Sequence, residues 1–163
     1  MQLKPWEEKY ITDLVENINH AEVVRYLSNR VPFPYTEQDA KDFIEMTKST
    51  NDALFAIIVD GKAVGGIGIY PKTDIHCKNA ELGYWLGYNY WNKGIISHAI
   101  QQIIPYAFER YDIQRLYASV FADNAGSIKV LEKNGFLRDT KFKQTLFKNG
   151  KFYDEVIYAL RKD

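Results

Sequence analysis

The chain has 163 residues, 46% of them hydrophobic, and its 21 basic and 21 acidic side chains leave a formal net charge of zero. That is enough apolar material for one good core, and a second domain is not expected. The balanced charge argues against nucleic acid or an anionic membrane as the main partner. The lone cysteine, Cys77, has no intramolecular disulfide partner, which makes a reducing cytoplasm the expected compartment. The opening MQLKPWEEKYI carries no signal-peptide pattern, and no apolar run approaches the length that spans a bilayer.

In chain order, residues 2–6 read as a short extended segment closed by Pro5. Tyr10, Ile11, Leu14, Val15 and Ile18 trace a helical face, and Val23, Val24 and Leu27 a second, shorter one. Residues 31–35, with Pro32 and Pro34, predict a stiff loop carrying Phe33 and Tyr35, because each proline fixes φ and removes a donor. Thr36 and Asp39 have capping-box spacing ahead of a helix marked by Ala40, Phe43, Ile44 and Thr47. Residues 54–59 and 63–70 predict two strands joined at Asp60-Gly61, a strong hairpin signal. A polar connection over 74–79 leads to an apolar, aromatic run from Ala80 to Gly87.

After the turn Asn92-Lys93-Gly94, Ile96, Ile100, Ile103, Ile104, Ala107 and Phe108 recur at helical spacing, with Pro105 expected to kink the helix. A buried strand that passes through a Gly-containing turn into a helix N-terminus can hold phosphate, since the first backbone N–H groups have no intrahelical partner and the dipole favours anions. The same pattern also serves as a purely structural join. Residues 115–121 read as a strand, Asn124 as the cap of a short helix stopping at Asn134-Gly135, and residues 145–148 and 152–160 as a hairpin around Asn149-Gly150. The pattern as a whole predicts an α/β fold in one domain.

Three pieces stand at a telling spacing: this strand–turn–helix, the segment Asp123-Asn124-Ala125-Gly126-Ser127, and Leu131-Glu132-Lys133-Asn134-Gly135-Phe136. Together they resemble the acetyl-CoA-binding region of the GNAT superfamily of N-acetyltransferases, in the branch of Rim-type ribosomal-protein enzymes and spermidine acetyltransferases. Pro5-Trp6, the proline loop with Asp39-Ala40, and Glu81-Leu82-Gly83-Tyr84-Trp85-Leu86 fit the same branch, so the resemblance spans nearly the whole chain. It implies a single GNAT domain over 1–163, with a mixed, mostly antiparallel sheet whose splayed central strand pair is flanked by helices. Acetyl-CoA would be the co-substrate. Freed backbone groups of Trp85, Leu86 and Gly87 would meet the pantetheine arm, and Trp91, Asn92, Lys93, Gly94, Ile95, Ile96 and Ser97 would form the pyrophosphate loop. Asn124 and Ser127 match residues near the thioester, and Lys129 and Lys133 could meet cofactor phosphates. Three positions depart from the pattern: Asn92 where Gly is frequent, Ile96 where Gly or Ala is frequent, and Leu131 where many members place a tyrosine acid.

The implied reaction is direct attack of an amine on the thioester, which needs a neutral amine and a proton for the leaving thiolate. An α-amine with pKa near ~7.8 is partly neutral already, whereas one near ~10.4 costs roughly 4 kcal/mol to deprotonate at neutral pH. Glu81, at the start of the organising strand, is the candidate base, directly or through water; the alternative is an exposed charge or a hydrogen-bond acceptor. Ser127 is the candidate proton donor, since Leu131 has no proton to give; the alternative is a hydroxyl capping its own helix. Phe33, Tyr35 and Tyr84 are candidates for the acceptor groove, while Tyr84, Trp85, Tyr88, Tyr90 and Trp91 are expected to be mainly core. His98 is expected to be partly buried and structural, and no metal site is expected, since His76-Cys77 lacks further ligands. The acceptor is a protein N-terminus, a polyamine or another small amine; no nucleic-acid or membrane partner is expected, and relatives of this kind include homodimers. The competing reading is a non-enzymatic acyl-CoA-binding or regulatory module on the same fold, which Ile96 and Leu131 favour.

Overall fold

The computed structural model describes residues 1–162. The strands are β1 (Gln2–Pro5), β2 (Ala53–Val59), β3 (Lys62–Pro71), β4 (Asn79–Leu86), β5 (Arg115–Phe121), β6 (Leu137–Lys148) and β7 (Lys151–Arg161). The helices are α1 (Ile11–Ile18), α2 (Ala21–Val24), α3 (Glu37–Thr47), α4 (Ile95–Arg110) and α5 (Ala125–Lys133). The seven strands form one sheet in the order β1-β2-β3-β4-β5-β7-β6. Neighbours pair antiparallel from β1 through β3 and from β5 through β6, whereas β4 and β5 run parallel. That parallel ladder holds only three pairs, Asn79–Arg115, Ala80–Leu116 and Glu81–Tyr117. Both strands continue beyond it, to Leu86 and Phe121.

Residues cluster into two compact units, 1–69 with 83–99, and 70–82 with 100–163. In the first, α1 is strongly amphipathic and buries Leu14 and Ile18 with Trp6, Tyr10, Tyr35, Ala40 and Ile44 over the sheet residues Ala56, Ile58 and Ala63. The Thr36–Asp39 capping box is complete: the Asp39 N–H donates to Thr36 Oγ1 at 3.1 Å and the Thr36 N–H to Asp39 Oδ2 at 2.7 Å. The Asp60-Gly61 turn has φ of 49° and 80°, the mirror-image turn whose twist suits a hairpin. In the second unit, Ile100, Ile103 and Ala107 of α4, Leu116 and Ala118 of β5, and Leu131 and Phe136 are buried. The α4 helix runs unbroken through the exposed Pro105.

Two expectations needed correction. The last hairpin starts at Leu137, not near residue 145. Its first half is almost wholly exposed and charged, because β6 lies at the sheet edge; with no face to bury, no alternation marks it in the sequence. The aromatic group at the end of β4 is only partly core: Trp85 packs against the first unit's buried cluster, whereas Tyr84, Tyr90 and Trp91 are half-buried and Tyr88 is 46% exposed.

In the first unit, β3 approaches the end of β4 so closely that its glycines are obligatory. A Cβ on Gly65 would lie 2.4 Å from the Trp85 carbonyl oxygen, and one on Gly66 would lie 2.7 Å from Trp85 Nε1. Backbone cannot yield as a flexible side chain can, so Gly65→Ala is expected to destabilise the fold by roughly 1–3 kcal/mol. Urea denaturation would measure this, and an unchanged midpoint would show that the two strands can part at no cost.

Candidate functional site

The β4 strand ends in a tightly determined turn. The Gly87 N–H donates to the Val64 carbonyl at 2.8 Å and its own carbonyl accepts from the Tyr90 N–H at 2.9 Å. A Cβ on Gly87 would fall 2.4 Å from Asn17 Oδ1, so only glycine passes there. The Trp91 indole N–H donates to the Leu86 carbonyl at 2.8 Å. Tyr88 lies against Trp91, with centroids 5.0 Å apart, and His20 stacks flat on Tyr88 at 4.1 Å. The Gly87 N–H is thus committed to Val64, while its carbonyl, with one bond from Tyr90, keeps a second lone pair. Leu86 keeps only part of its own, and Trp85 packs its side chain toward Gly66.

The chain then turns twice through left-handed conformations, at Asn92 (φ 59°) and Gly94 (φ 74°), before α4 begins at Ile95. Asn fills the first because its short polar side chain tolerates αL better than most residues. Asn92, Lys93 and Gly94 are exposed, Ile95 and Ile96 are half-buried, and Ser97 is 6% exposed. The His98 N–H closes the first helical turn on the Gly94 carbonyl at 3.1 Å. The amides ahead of it lie at the positive end of a 16-residue helix, where backbone donors and the helix dipole suit an anion. Lys93 Nζ stands 5.5 Å from the Tyr90 ring centroid. His98 is exposed rather than partly buried, on the outer face of the helix.

In the second unit Glu81 is not a lone carboxylate. Lys72 Nζ donates to Glu81 Oε2 at 2.7 Å, and the Tyr117 hydroxyl donates to the same oxygen at 3.4 Å. Burial pulls the Lys72 ammonium down, but the hydrogen bond and charge of Glu81 outweigh it and hold its pKa above the ordinary lysine value. Burial, with the charge of Glu81, raises the Tyr117 phenol against the opposing Lys72 and Arg115 cations. Separately, Asn124 caps α5 by accepting from the Ser127 N–H at 3.2 Å. Ser127 is half-buried, and Lys129 and Lys133 are exposed on the same helix. Leu131 is fully buried, so its position serves the core.

Of the residues expected at the acceptor groove, Phe33 is 55% exposed and Tyr84 is half-buried, but Tyr35 is a core residue at 8%. Its backbone N–H and carbonyl are both gripped by Asn19 at 2.6 Å, its hydroxyl donates to the Asp39 carbonyl at 3.3 Å, and burial pushes its phenol up to about 12. The residues that sequence reasoning missed are Lys72, Tyr117, Gly65, Gly66 and Asn17. The paired glycines inside a strand were a signal of close backbone approach; the other three are long-range contacts with no local signature. Among the described residues no group of three or more His, Cys, Asp and Glu could hold a metal, and no helix is long and apolar enough to cross a membrane.

Residues 1–137 match the model of the acetyltransferase (GNAT) domain family. The uncharacterised N-acetyltransferase YnaD of Bacillus subtilis is 30% identical over 99% of this chain and 91% of its own length. The ribosomal-protein-serine acetyltransferase of Escherichia coli is 31% identical over 62% of this chain and 56% of its own. Among solved structures, the microcin C7 self-immunity acetyltransferase MccE, in complex with acetyl-CoA and AMP, superposes with a TM-score of 0.84 at 25% identity, covering 98% of this chain and 91% of that one.

The two left-handed positions make opposite predictions. Asn92→Gly relieves a backbone strain, and its thermal midpoint is expected to match or exceed that of the wild type. Gly94→Ala has open space for its Cβ but meets the left-handed penalty, a loss of about 1 kcal/mol. Equal midpoints for the two variants would contradict the turn geometry.

Proposed function

The chain belongs to the GNAT family of acetyl-CoA-dependent N-acetyltransferases, and from that premise we propose that it acts as a single domain in the cytoplasm on a primary amine. The acceptor is a protein N-terminus, a polyamine or another small amine. The observation that carries the cofactor assignment is the turn from Trp91 to Ser97, whose left-handed Asn92 and Gly94 open the N-terminus of α4. Main-chain N–H groups of Asn92, Lys93, Gly94, Ile95 and Ile96 hold the pyrophosphate. The half-buried Ile96 leaves those amides to do the binding, since they lie on the backbone and need no help from its side chain. Asn124, Lys129 and Lys133 are the proposed contacts on α5, and Trp85 and Leu86 those on β4.

When bound, acetyl-CoA supplies the activated acyl carbon. The amine nitrogen forms the new amide bond, the C–S bond breaks, and one proton leaves the ammonium while another reaches the departing sulfur. Glu81, with Oε2 held by Lys72 and Tyr117, takes the first proton directly or through a water. The Ser127 hydroxyl gives the second. Phe33 and Tyr84 are the proposed acceptor contacts.

At one hundred times its Kd, acetyl-CoA stabilises a single site by about 2.7 kcal/mol. In a domain of this size the thermal midpoint then rises by roughly 5–10 °C. No rise with acetyl-CoA or CoA would remove the cradle. With an amine panel read by thiol release, Glu81→Gln is expected to lose most rate below the acceptor's pKa, where the enzyme must deprotonate the ammonium. A profile unchanged across pH would exclude Glu81 as the base.

A further inference from the structure

We propose that Lys72 and Tyr117 are positioning residues for Glu81, holding Oε2 so that Oε1 alone takes the proton from the acceptor. This rests on Glu81 acting as the base. Both donors converge on Oε2, from Lys72 at 2.7 Å and Tyr117 at 3.4 Å. The arrangement follows from the sheet: Glu81 and Tyr117 are the last pair of the parallel ladder, directly opposite residues whose side chains share a face. Lys72, just past the end of β3, is set in place by its own N–H, which donates to the Asn79 carbonyl at 2.9 Å. Lys72 and Glu81 side chains are each 34% exposed, sheltered enough for the pair to hold one geometry yet open to an incoming amine.

The other charges on these strands are accounted for. Arg115 of β5 lies 4.6 Å from the Tyr117 ring centroid and donates to Asn79 Oδ1 at 3.1 Å. Its remaining donors, with those of Arg161 on β7, go to Asp139 on β6. The Arg115 charge is therefore largely answered by Asp139, and Lys72 is the cation that faces Glu81. With Oε2 occupied by the Lys72 and Tyr117 donors, the carboxylate is fixed in one orientation and Oε1 is the oxygen left to face an incoming amine.

The test is the split of kcat from KM with the amine panel, read by thiol release. In Lys72→Met kcat is expected to fall about tenfold with the KM for acetyl-CoA unchanged, and in Tyr117→Phe by less. Lys72→Arg is expected to restore most of kcat, since a guanidinium still donates to Oε2. A merely structural lysine would alter the thermal midpoint and leave kcat in place. An unchanged kcat in Lys72→Met overturns the proposal while leaving Glu81 as the base, provided Glu81→Gln still loses rate at low pH. If Glu81→Gln keeps its full rate across pH, the base assignment fails and this inference fails with it.

Discussion

The end of β4 is where this chain has least freedom, and the candidate cofactor turn depends on it. Gly65 lets β3 pass close to the Trp85 carbonyl, and Gly87 leaves no room for a Cβ against Asn17. Asn17 is itself anchored, donating to the Ala63 carbonyl at 3.2 Å, while Asp13 accepts from the Ala63 N–H at 2.9 Å. One helix turn of α1 thus grips both backbone groups of a single β3 residue. The next residue, Val64, accepts from Gly87. A turn that must present backbone amides to an anion gains from such a rigid footing, because hydrogen bonds weaken steeply once their angle falls below about 120° and preorganised donors need no reorganisation.

Polar groups follow a common rule. Several sheltered charges on the β4–β5–β7–β6 strands have a partner on another strand: Arg115 with Asn79 and Asp139, Asp154 with Lys141, and Glu155 with Ser119. Asp139 is held below the ordinary aspartate pKa, first by the Arg161 hydrogen bond and then, against burial, by Arg115. Its contribution to stability is present above the unfolded aspartate pKa and is lost as pH falls through the lower folded value. Glu81 has Lys72 and Tyr117. The result is a catalytic candidate already oriented by the fold, with one oxygen occupied and one available.

The aromatic residues show how composition can mislead. Five aromatic positions between Tyr84 and Trp91 suggested core, yet they are half-buried or exposed. Large side chains need not vanish into an interior to be useful: Trp91 ties its indole N–H to a strand-end carbonyl, and Tyr88 offers a face to His20. Tyr35 went the other way. On a stiff proline loop it had the look of a surface residue, but Asn19 holds its backbone so that the ring packs among Trp6, Tyr10, Leu14 and Ile44.

What the sequence alone determined was chiefly local. The Thr36–Asp39 box, the Asp60-Gly61 and Asn149-Gly150 turns, the stripe of α4 and the Asn124 cap depend on residues within a turn or two of each other, so their spacing reveals them. The Asn92-Lys93-Gly94 turn was legible for the same reason, since Asn and Gly are the residues that most readily tolerate positive φ. Tertiary structure decided what lies far apart along the chain: Lys72 and Tyr117 on Glu81, Asn17 against Gly87, Asn19 on Tyr35, and the edge position that makes β6 a strand despite its charged face. A hydrogen bond between residues 36 positions apart leaves no period in the sequence. Only the register of the paired strands brings those two side chains together.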